Sequence, residues 1–402
     1  MDSQFLYRDD PLTLEFETEI REWVTLPDGR SGVILKRTYF YPTGGGQAHD
    51  TGTLGAARVV DVVKSEDEAA VIHVLEGDPG EGKLHAVIDA ERRIRHMQHH
   101  TGQHLLSACL MRVLNLETLS SSIRGWMPST VDTRDVALSA EDLRRLEEAA
   151  NRIIFENRQV RTFTRPDTEI ADLPLRRPPK VQGKIRLVEI DGVDLVPCGG
   201  THCPQTGMIG LLKIVRTERI NHKLRIHFVT GWQALDRFRE FQSVTQTLAA
   251  AFSTSSAEVA DLVLKQNEQL KETERQLRRL SVAQMTCEAR DLAAEARRVN
   301  DLRVVTHLWE NRPAGELRTL ADALKEQPDL VALLATYDGQ KLVLVATCGK
   351  DTGLSARVVL NERLGRIGGR GGGDDQIAQG GGSATAGQIV AFFDGLDESL
   401  EA

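Results

Sequence analysis

Two short stretches constrain this chain more than anything else in it. Residues 95–106 read RHMQHHTGQHLL, and residues 196–203 read VPCGGTHC. The first holds His96, His99, His100 and His104. On a helix, residues four apart share a face and can grip one ion, as His100 and His104 would. Leu105 and Leu106 follow and suit a helix packed on a core. The second stretch offers Cys198 and His202 around two glycines, which bend backbone tightly. Two helical histidines with a Cys and a His from a loop make an N₃S set, the ligand chemistry of zinc. Spacing alone leaves alternatives open. His96 and His100 are also four apart, and Cys203 competes with Cys198. Histidines of this kind also serve as surface or hydrogen-bonded core residues.

Composition bounds the rest. A chain of 402 residues is long enough for two or three domains with sizeable cores. Its 27% charged and 41% hydrophobic residues are ordinary for a soluble globular protein. No basic patch and apolar run opens the sequence, and no stretch nears the roughly 18 apolar residues that span a bilayer. Five widely spread cysteines form no disulfide framework, so a cytoplasmic, non-membrane protein is expected. The net charge of −8 argues against indiscriminate nucleic-acid binding. It leaves room for a local basic surface, and Arg176, Arg177, Lys180, Lys184 and Arg186 supply a candidate shortly before Cys198. By itself that cluster reads equally as a solvated loop.

The expected architecture is α+β. Residues 1–90 read as short strands with turn signals, at 12–20, 33–40, 57–63, 70–75 and 83–89, which suggests a small β-barrel. From 91 to 235 the pattern becomes an α+β layer holding both metal motifs. It has a helix over 91–114 and a second over 143–155 behind a Ser139/Asp142 capping signature. Strands are predicted at 160–164, 185–190, 208–215 and 224–229. Residues 236–300 are helical and charged. Val263, Leu270 and Leu277 repeat every seven residues, but Gln266 and Gln284 interrupt the rows, so a short coiled coil or helical hairpin is expected. An amphipathic helix packed on its own domain reads as well. Residues 301–402 return to α/β, with strands at 304–308, 330–337 and 341–348, helices at 314–327 and 355–364, and a hairpin at Asp338-Gly339. The glycine tract from Gly368 to Gly382 carries neither dinucleotide nor P-loop spacing. Its backbone is a candidate phosphate cradle flanked by Arg366 and Arg370, or a flexible surface loop.

A resemblance sharpens this reading. HTGQHLL from His100 and CGGTH from Cys198 resemble the paired motifs of the alanyl-tRNA synthetase editing domain. YPTGGGQ from Tyr41, followed by Asp50-Thr51-Gly52, resembles the glycine-rich motif of the free-standing AlaX editing proteins. The tract 368–382 resembles the synthetases' DHH-associated C-terminal domain. A long-form AlaX-type chain is the expectation, with a translation-factor-like barrel (1–90), a zinc-binding editing domain (91–235), a helical linker or coiled coil (236–300) and a DHH-associated α/β domain (301–402). A full synthetase is disfavoured because the editing motifs begin within the first hundred residues.

The resemblance implies deacylation of alanine tRNA mischarged with serine or glycine, with zinc at the paired motifs. A homodimer through the helical and C-terminal region is a further candidate that the sequence leaves open. A pocket built for alanine rejects serine by only about a hundredfold, so a second site is needed. Metal ligands would be His100, His104, Cys198 and His202. Thr43 is the candidate partner of the serine hydroxyl, although its turn chemistry explains it equally. Gln47 and Gln103 are candidate catalytic neighbours. The synthetase motif often has a small hydroxyl residue where Gln103 stands, which leaves that contact in doubt. Gly44, Gly45 and Gly46 would let backbone approach the substrate, with Arg176, Arg177, Lys180, Arg366 and Arg370 on the RNA. Four ligands also make a closed, structural shell. The alternatives are therefore a zinc-stabilised tRNA-binding module without turnover, and a zinc hydrolase of another ester. The absence of HExxH disfavours the commonest metalloprotease.

Overall fold

The computed structural model describes residues 4–66, 69–385 and 388–389, and divides into two compact units, Met1–Ala251 and Phe252–Ala402. The first unit begins with β1 (Gln4–Phe5), then β2 (Glu15–Thr25), β3 (Ser31–Leu35), β4 (Arg37–Thr38), β5 (Gly52–Leu54), β6 (Ala57–Lys64), β7 (Val71–Glu76) and β8 (Lys83–Ile88). Six of these close into a barrel in the order β2-β3-β7-β6-β5-β8. Alternation along the strands puts Val33, Leu35, Leu54, Val59, Val62 and Ile88 inside it with Phe40. A barrel has no open sheet edge, which suits so short a β segment. His73 lies in this core, between Thr38 Oγ1 at 2.8 Å and the Val33 carbonyl at 3.1 Å. Burial holds its pKa down at about 4, so it is a neutral bridge.

Helix α1 (Ala90–Leu114) follows directly, capped by the Asp89 carboxylate, which accepts from the Arg92 amide at 3.0 Å. It is fastened to the barrel side by a buried ion pair. Arg93 Nε donates to both oxygens of Asp50 at 3.2 and 3.1 Å, and its Nη1 donates to the Pro11 carbonyl at 2.6 Å. The same Asp50 carboxylate accepts from the Tyr41 amide at 2.7 Å, so the glycine-rich loop and α1 are fixed to one residue. From Arg95 to Leu110 every residue of α1 is buried, which is why it lacks a simple polar face.

Around it lie β9 (Ser120–Ser122), β10 (Ser129–Arg134), α2 (Ala140–Phe155), β11 (Val160–Pro166), β12 (Lys184–Ile190), β13 (Asp194–Pro197), β14 (Leu212–Ile220), β15 (Lys223–Thr230) and α3 (Gly231–Ala251). They form a sheet ordered β14-β15-β10-β9 and a smaller one ordered β11-β12-β13. Leu105, Leu106 and Leu110 pack with Val131, Leu146, Ile154, Val188, Ile226 and Phe228. The expected capping box forms in both directions between Ser139 and Asp142. The strand expected at 208–215 begins late. Thr206–Ile209 is a 3₁₀ turn, and Gly210 at φ +70° breaks the chain where a Cβ would come 2.9 Å from Gly231 Cα.

The second unit contains α4 (Val259–Ala294), β16 (Arg297–Val299), β17 (Leu302–Glu310), α5 (Ala314–Leu324), β18 (Leu330–Tyr337), β19 (Lys341–Cys348), α6 (Ala356–Gly365), β20 (Arg370–Gly373) and β21 (Ile377–Ser383). One sheet runs β16-β17-β18-β19-β21-β20. β17 and β18 are parallel across α5, and the Asp338-Gly339 turn joins β18 to β19 as the sequence predicts. The segment 236–300 is not one rod, because α3 and α4 stop and restart across residues 252–258, with Ser253 at φ 51°. Val263, Leu270 and Leu277 are exposed, so the heptad row closes no coiled coil among the described residues.

The glycine tract departs most from expectation. Much of it is strand and not loop: Gly371 pairs with Gly380 and Arg370 with Gly381 in antiparallel register, with β20 at the edge of the sheet. Glycine is required by packing. A Cβ on Gly380 would meet Leu364 Cδ1 at 2.4 Å, and one on Gly371 would meet Leu360 Cδ2 at 2.8 Å, so α6 lies directly on the bare backbone. Arg370 opens β20 and is exposed, and Arg366 closes α6.

Candidate metal centre

The i, i+4 spacing on α1 carries His100 and His104 to one face, and the 198–202 turn after β13 folds against it. Ring centroids are 5.1 Å apart for His100/His104, 4.3 Å for His100/His202 and 4.5 Å for His104/His202. Cys198 Sγ is 3.4 Å from both His100 Nε2 and His202 Nε2. The four ligand atoms all lie within 4.8 Å of one another. A tetrahedral ion with bonds of about 2.0–2.3 Å would set its ligands roughly 3.3–3.8 Å apart, so the set needs little contraction to close on one.

The open alternatives resolve in space. His99 turns away to Ser129 Oγ, 2.7 Å from its Nδ1, and packs on Phe228. His96 is beside Gly125. Cys203 is buried outside the cluster, its thiol pushed up to about 12 by burial, and its amide donates to Thr101 Oγ1 at 2.9 Å.

The outer partners set which ring nitrogen is free. Gln47 donates through Nε2 to Thr201 Oγ1 at 2.9 Å, so its Oε1 faces His100 Nδ1 at 2.7 Å as an acceptor. His100 is thereby held with Nδ1 protonated and the Nε2 lone pair toward the cluster. Thr101 gives its hydroxyl proton to the Met97 carbonyl at 2.8 Å and so accepts from His202 Nδ1 at 3.3 Å. His202 acquires the same tautomer. Gln47 is the expected neighbour, and its contact joins the glycine-rich motif to the CGGTH motif.

Electrostatics favours ligation. Burial pushes the His100 pKa down to about 3 and those of His104 and His202 well below the ordinary histidine value. All three are neutral, with lone pairs available. The Cys198 thiol is held above its ordinary value by burial, opposed by the Gly200 amide and by Arg186, Arg177 and Arg176. A bound dication would reverse that balance and take the thiolate.

The second glycine of the turn is sterically specific. A Cβ on Gly200 would lie 2.1 Å from His100 Cε1 and 2.4 Å from its Nδ1, whereas one on Gly199 would meet nothing within 4 Å. Arg186 holds the turn from behind, donating through Nη1 to the Cys198 and Gly200 carbonyls at 2.8 and 3.0 Å. Its Nη2 donates to the Arg8 carbonyl at 2.8 Å.

Beside Cys198 opens a cleft of about 580 Å³, lined by Arg8, Arg177, Lys180, Lys184 and Arg186 among others. Gly45 reaches it too. Three of the expected contact residues have their side chains engaged within the fold. Arg176 is committed to Asp194, with Nε and Nη2 donating to the carboxylate at 2.7 and 3.0 Å. Gln103 donates to Ser107 Oγ at 2.8 Å, one turn further along α1. Thr43 is exposed, and its hydroxyl is engaged by His49, at 3.1 Å from Nδ1 and 3.2 Å from the amide. Gly44 bridges to Gln47, and Gly46, at φ +84°, brings its backbone against Ser121, where a Cβ would lie 2.9 Å from the Ser121 carbonyl oxygen. Arg366 and Arg370 belong to the second unit. The sequence reading missed Arg8, Asp194 and Thr101. Asp194, four residues before Cys198, had a positional signal, whereas Arg8 had none.

The two-sheet α+β layer thus brings three buried histidines and Cys198 into a set able to hold a metal, beside a cleft lined by basic side chains. Comparison with known proteins gives the class a lineage. Residues 185–226 match the threonyl and alanyl tRNA synthetase second additional domain, and residues 301–402 match the DHHA1 domain. Alanine–tRNA ligase from Methanopyrus kandleri is 33% identical over 399 residues, covering 95% of this chain and 43% of the ligase. The ligase from Ignicoccus hospitalis is 32% identical over 396 residues, covering 92% and 40%. A solved structure, the C-Ala domain from Aquifex aeolicus alanyl-tRNA synthetase, is 29% identical and covers 27% of this chain and 98% of its own, with a TM-score of 0.25. The chain spans about two fifths of the length of these ligases. Over that length it resembles alanyl-tRNA synthetase, with one match in the second additional domain and one in the DHHA1 domain. Among the described residues, no helix is long and apolar enough to cross a membrane.

Proposed function

We propose that this chain is a cytoplasmic trans-editing deacylase that hydrolyses the ester of alanine tRNA mischarged with serine or glycine, using zinc held by His100, His104, Cys198 and His202. The observation that carries the reading is that Cys198 belongs both to the four-ligand cluster and to the wall of the cationic cleft. A bound zinc supplies Lewis acidity or a fixed point of attachment for the substrate. Arg8, Arg177, Lys180 and Lys184 would take the phosphates of the tRNA 3′ end, while Arg186 holds the Cys198 turn that they adjoin. Gln47 and Thr101 keep His100 and His202 in the ligating tautomer. The backbone of Gly45 allows close approach at the cleft.

Selectivity against alanine requires a group that pairs with the serine hydroxyl and is left unpaired by alanine. Thr43 remains the proposal for that role, and to fill it the Thr43 hydroxyl must exchange its His49 contact for the substrate. Gln103 keeps a proposed substrate role through the Ser107 side, and Arg366 and Arg370 through RNA contact by the second unit, whose exposed helices are the proposed homodimer surface. The decisive experiment measures deacylation of seryl-, glycyl- and alanyl-tRNA with zinc content on the same preparation. Turnover of the first two above alanyl-tRNA is expected. Tight tRNA binding with zinc present and no turnover would favour a zinc-stabilised binding module, which a complete four-ligand shell also suits.

A further inference from the structure

His104 is the one cluster histidine whose second nitrogen has no hydrogen bond. Its Nδ1 is fully buried and unpartnered, while those of His100 and His202 meet Gln47 and Thr101. The nearest acid is Asp194, whose Oδ2 is 3.9 Å away. Both side chains are almost wholly buried, at 1% and 2% exposure, so water does not compete for either. A gap of 3.9 Å is about 1 Å beyond a hydrogen bond, a distance that a small ring movement spans.

Asp194 is not free to turn elsewhere. Arg176 holds both carboxylate oxygens through a two-pronged contact, and the Arg176 backbone amide donates to the Leu195 carbonyl at 2.9 Å. The guanidinium is therefore fixed to the strand that carries Asp194. A carboxylate oxygen bound once by arginine still has an acceptor position to offer. We infer that Asp194 is the positioning residue of His104, accepting its Nδ1 proton, and that Arg176 acts through Asp194 by aiming the carboxylate at the ring. This assigns Arg176 to metal affinity and removes it from the RNA contacts. The inference rests on the metal-site reading given above, and concerns ligand orientation independently of any reaction.

Zinc affinity, measured by competition with a chromophoric chelator on the full chain, tests it. Asp194→Asn keeps the shape and loses the charge-assisted acceptor, so zinc affinity falls by roughly tenfold to a hundredfold, the usual effect of removing such a partner. The Co²⁺-substituted protein should show altered absorption bands, because the ring is no longer fixed. Arg176→Gln should weaken zinc less, and the double variant should lose no more than Asp194→Asn alone. A purely structural ion pair would instead lower the urea midpoint of the metal-free chain and leave zinc affinity within twofold of wild type. That result, or additive losses in the double variant, overturns the inference. If Asp194→Asn does not fold, Arg176→Lys carries the test: a loss of zinc affinity at an unchanged urea midpoint supports the proposal, and unchanged affinity overturns it. A wild-type chain that holds zinc but cleaves no ester defeats only the deacylase reading. Unchanged affinity in Asp194→Asn defeats only this inference.

Discussion

Substituting alanine for each glycine of the Cys198–His202 turn separates a steric requirement from a merely tolerated residue. At position 200 the added methyl would lie 2.1 Å from His100 Cε1, and ordinary contact begins near 3.4 Å, so the two groups must part by about 1.3 Å. His100 cannot retreat cheaply, because Gln47 holds its Nδ1 at 2.7 Å and its backbone is in the middle of a buried helix. The turn must yield, and it carries Cys198. Metal sites tolerate ligand displacements of only about 0.2 Å, so a shift of this size removes the thiolate from the shell. Gly200→Ala should weaken zinc by at least a hundredfold, about 2.7 kcal/mol. Gly199→Ala has nothing within 4 Å of its new methyl and should bind zinc as wild type does. Chelator competition reads the affinity, and far-UV circular dichroism confirms that both variants fold. Zinc affinity within threefold of wild type for Gly200→Ala, or an equal loss in Gly199→Ala, would refute the reasoning.

Other outcomes follow from the same geometry. Cys198→Ala should lose zinc and any deacylation while Cys203→Ala keeps zinc, since only Cys198 Sγ is in the cluster; metal analysis of both purified variants decides. His73, held near 4 by burial, is neutral in the fold and binds a proton more readily when unfolded. Its contribution is complete above about pH 6.5 and is lost as pH falls toward 4, at about 1.4 kcal/mol per pH unit. The urea midpoint should therefore drop across that window, and His73→Gln should be less stable at pH 7.5 but with a shallower drop; an unchanged slope would refute the assignment. For Thr43→Val, a fall of one to two orders of magnitude on seryl-tRNA alone would support hydroxyl reading. An equal fall on seryl- and alanyl-tRNA would show that its His49 contact only shapes the loop.

Much of the fold was legible because local rules bear on it directly. Strand alternation gave the barrel, the Ser139 capping box started α2, and the Asp338-Gly339 turn set the β18–β19 hairpin. The four cluster residues were legible too, since i, i+4 spacing and a Cys-Gly-Gly-Thr-His turn are local patterns. The sequence could not choose between His96 and His104 as partner of His100, because both stand one helical turn away. That choice fell to β13 and its following turn, which approach α1 on the His104 side. It could not foresee that Arg176 would be spent on a buried carboxylate while its neighbour Arg177 faces the cleft, since adjacent residues of a loop diverge according to what packs beneath them. The glycine tract misled for a related reason. Glycine frees backbone for turns and equally lets a helix lie flat on a sheet, and only the presence of Leu360 and Leu364 above Gly371 and Gly380 decides between them. Residue type and spacing thus specified which groups are able to ligate, whereas long-range packing alone determined which of them meet.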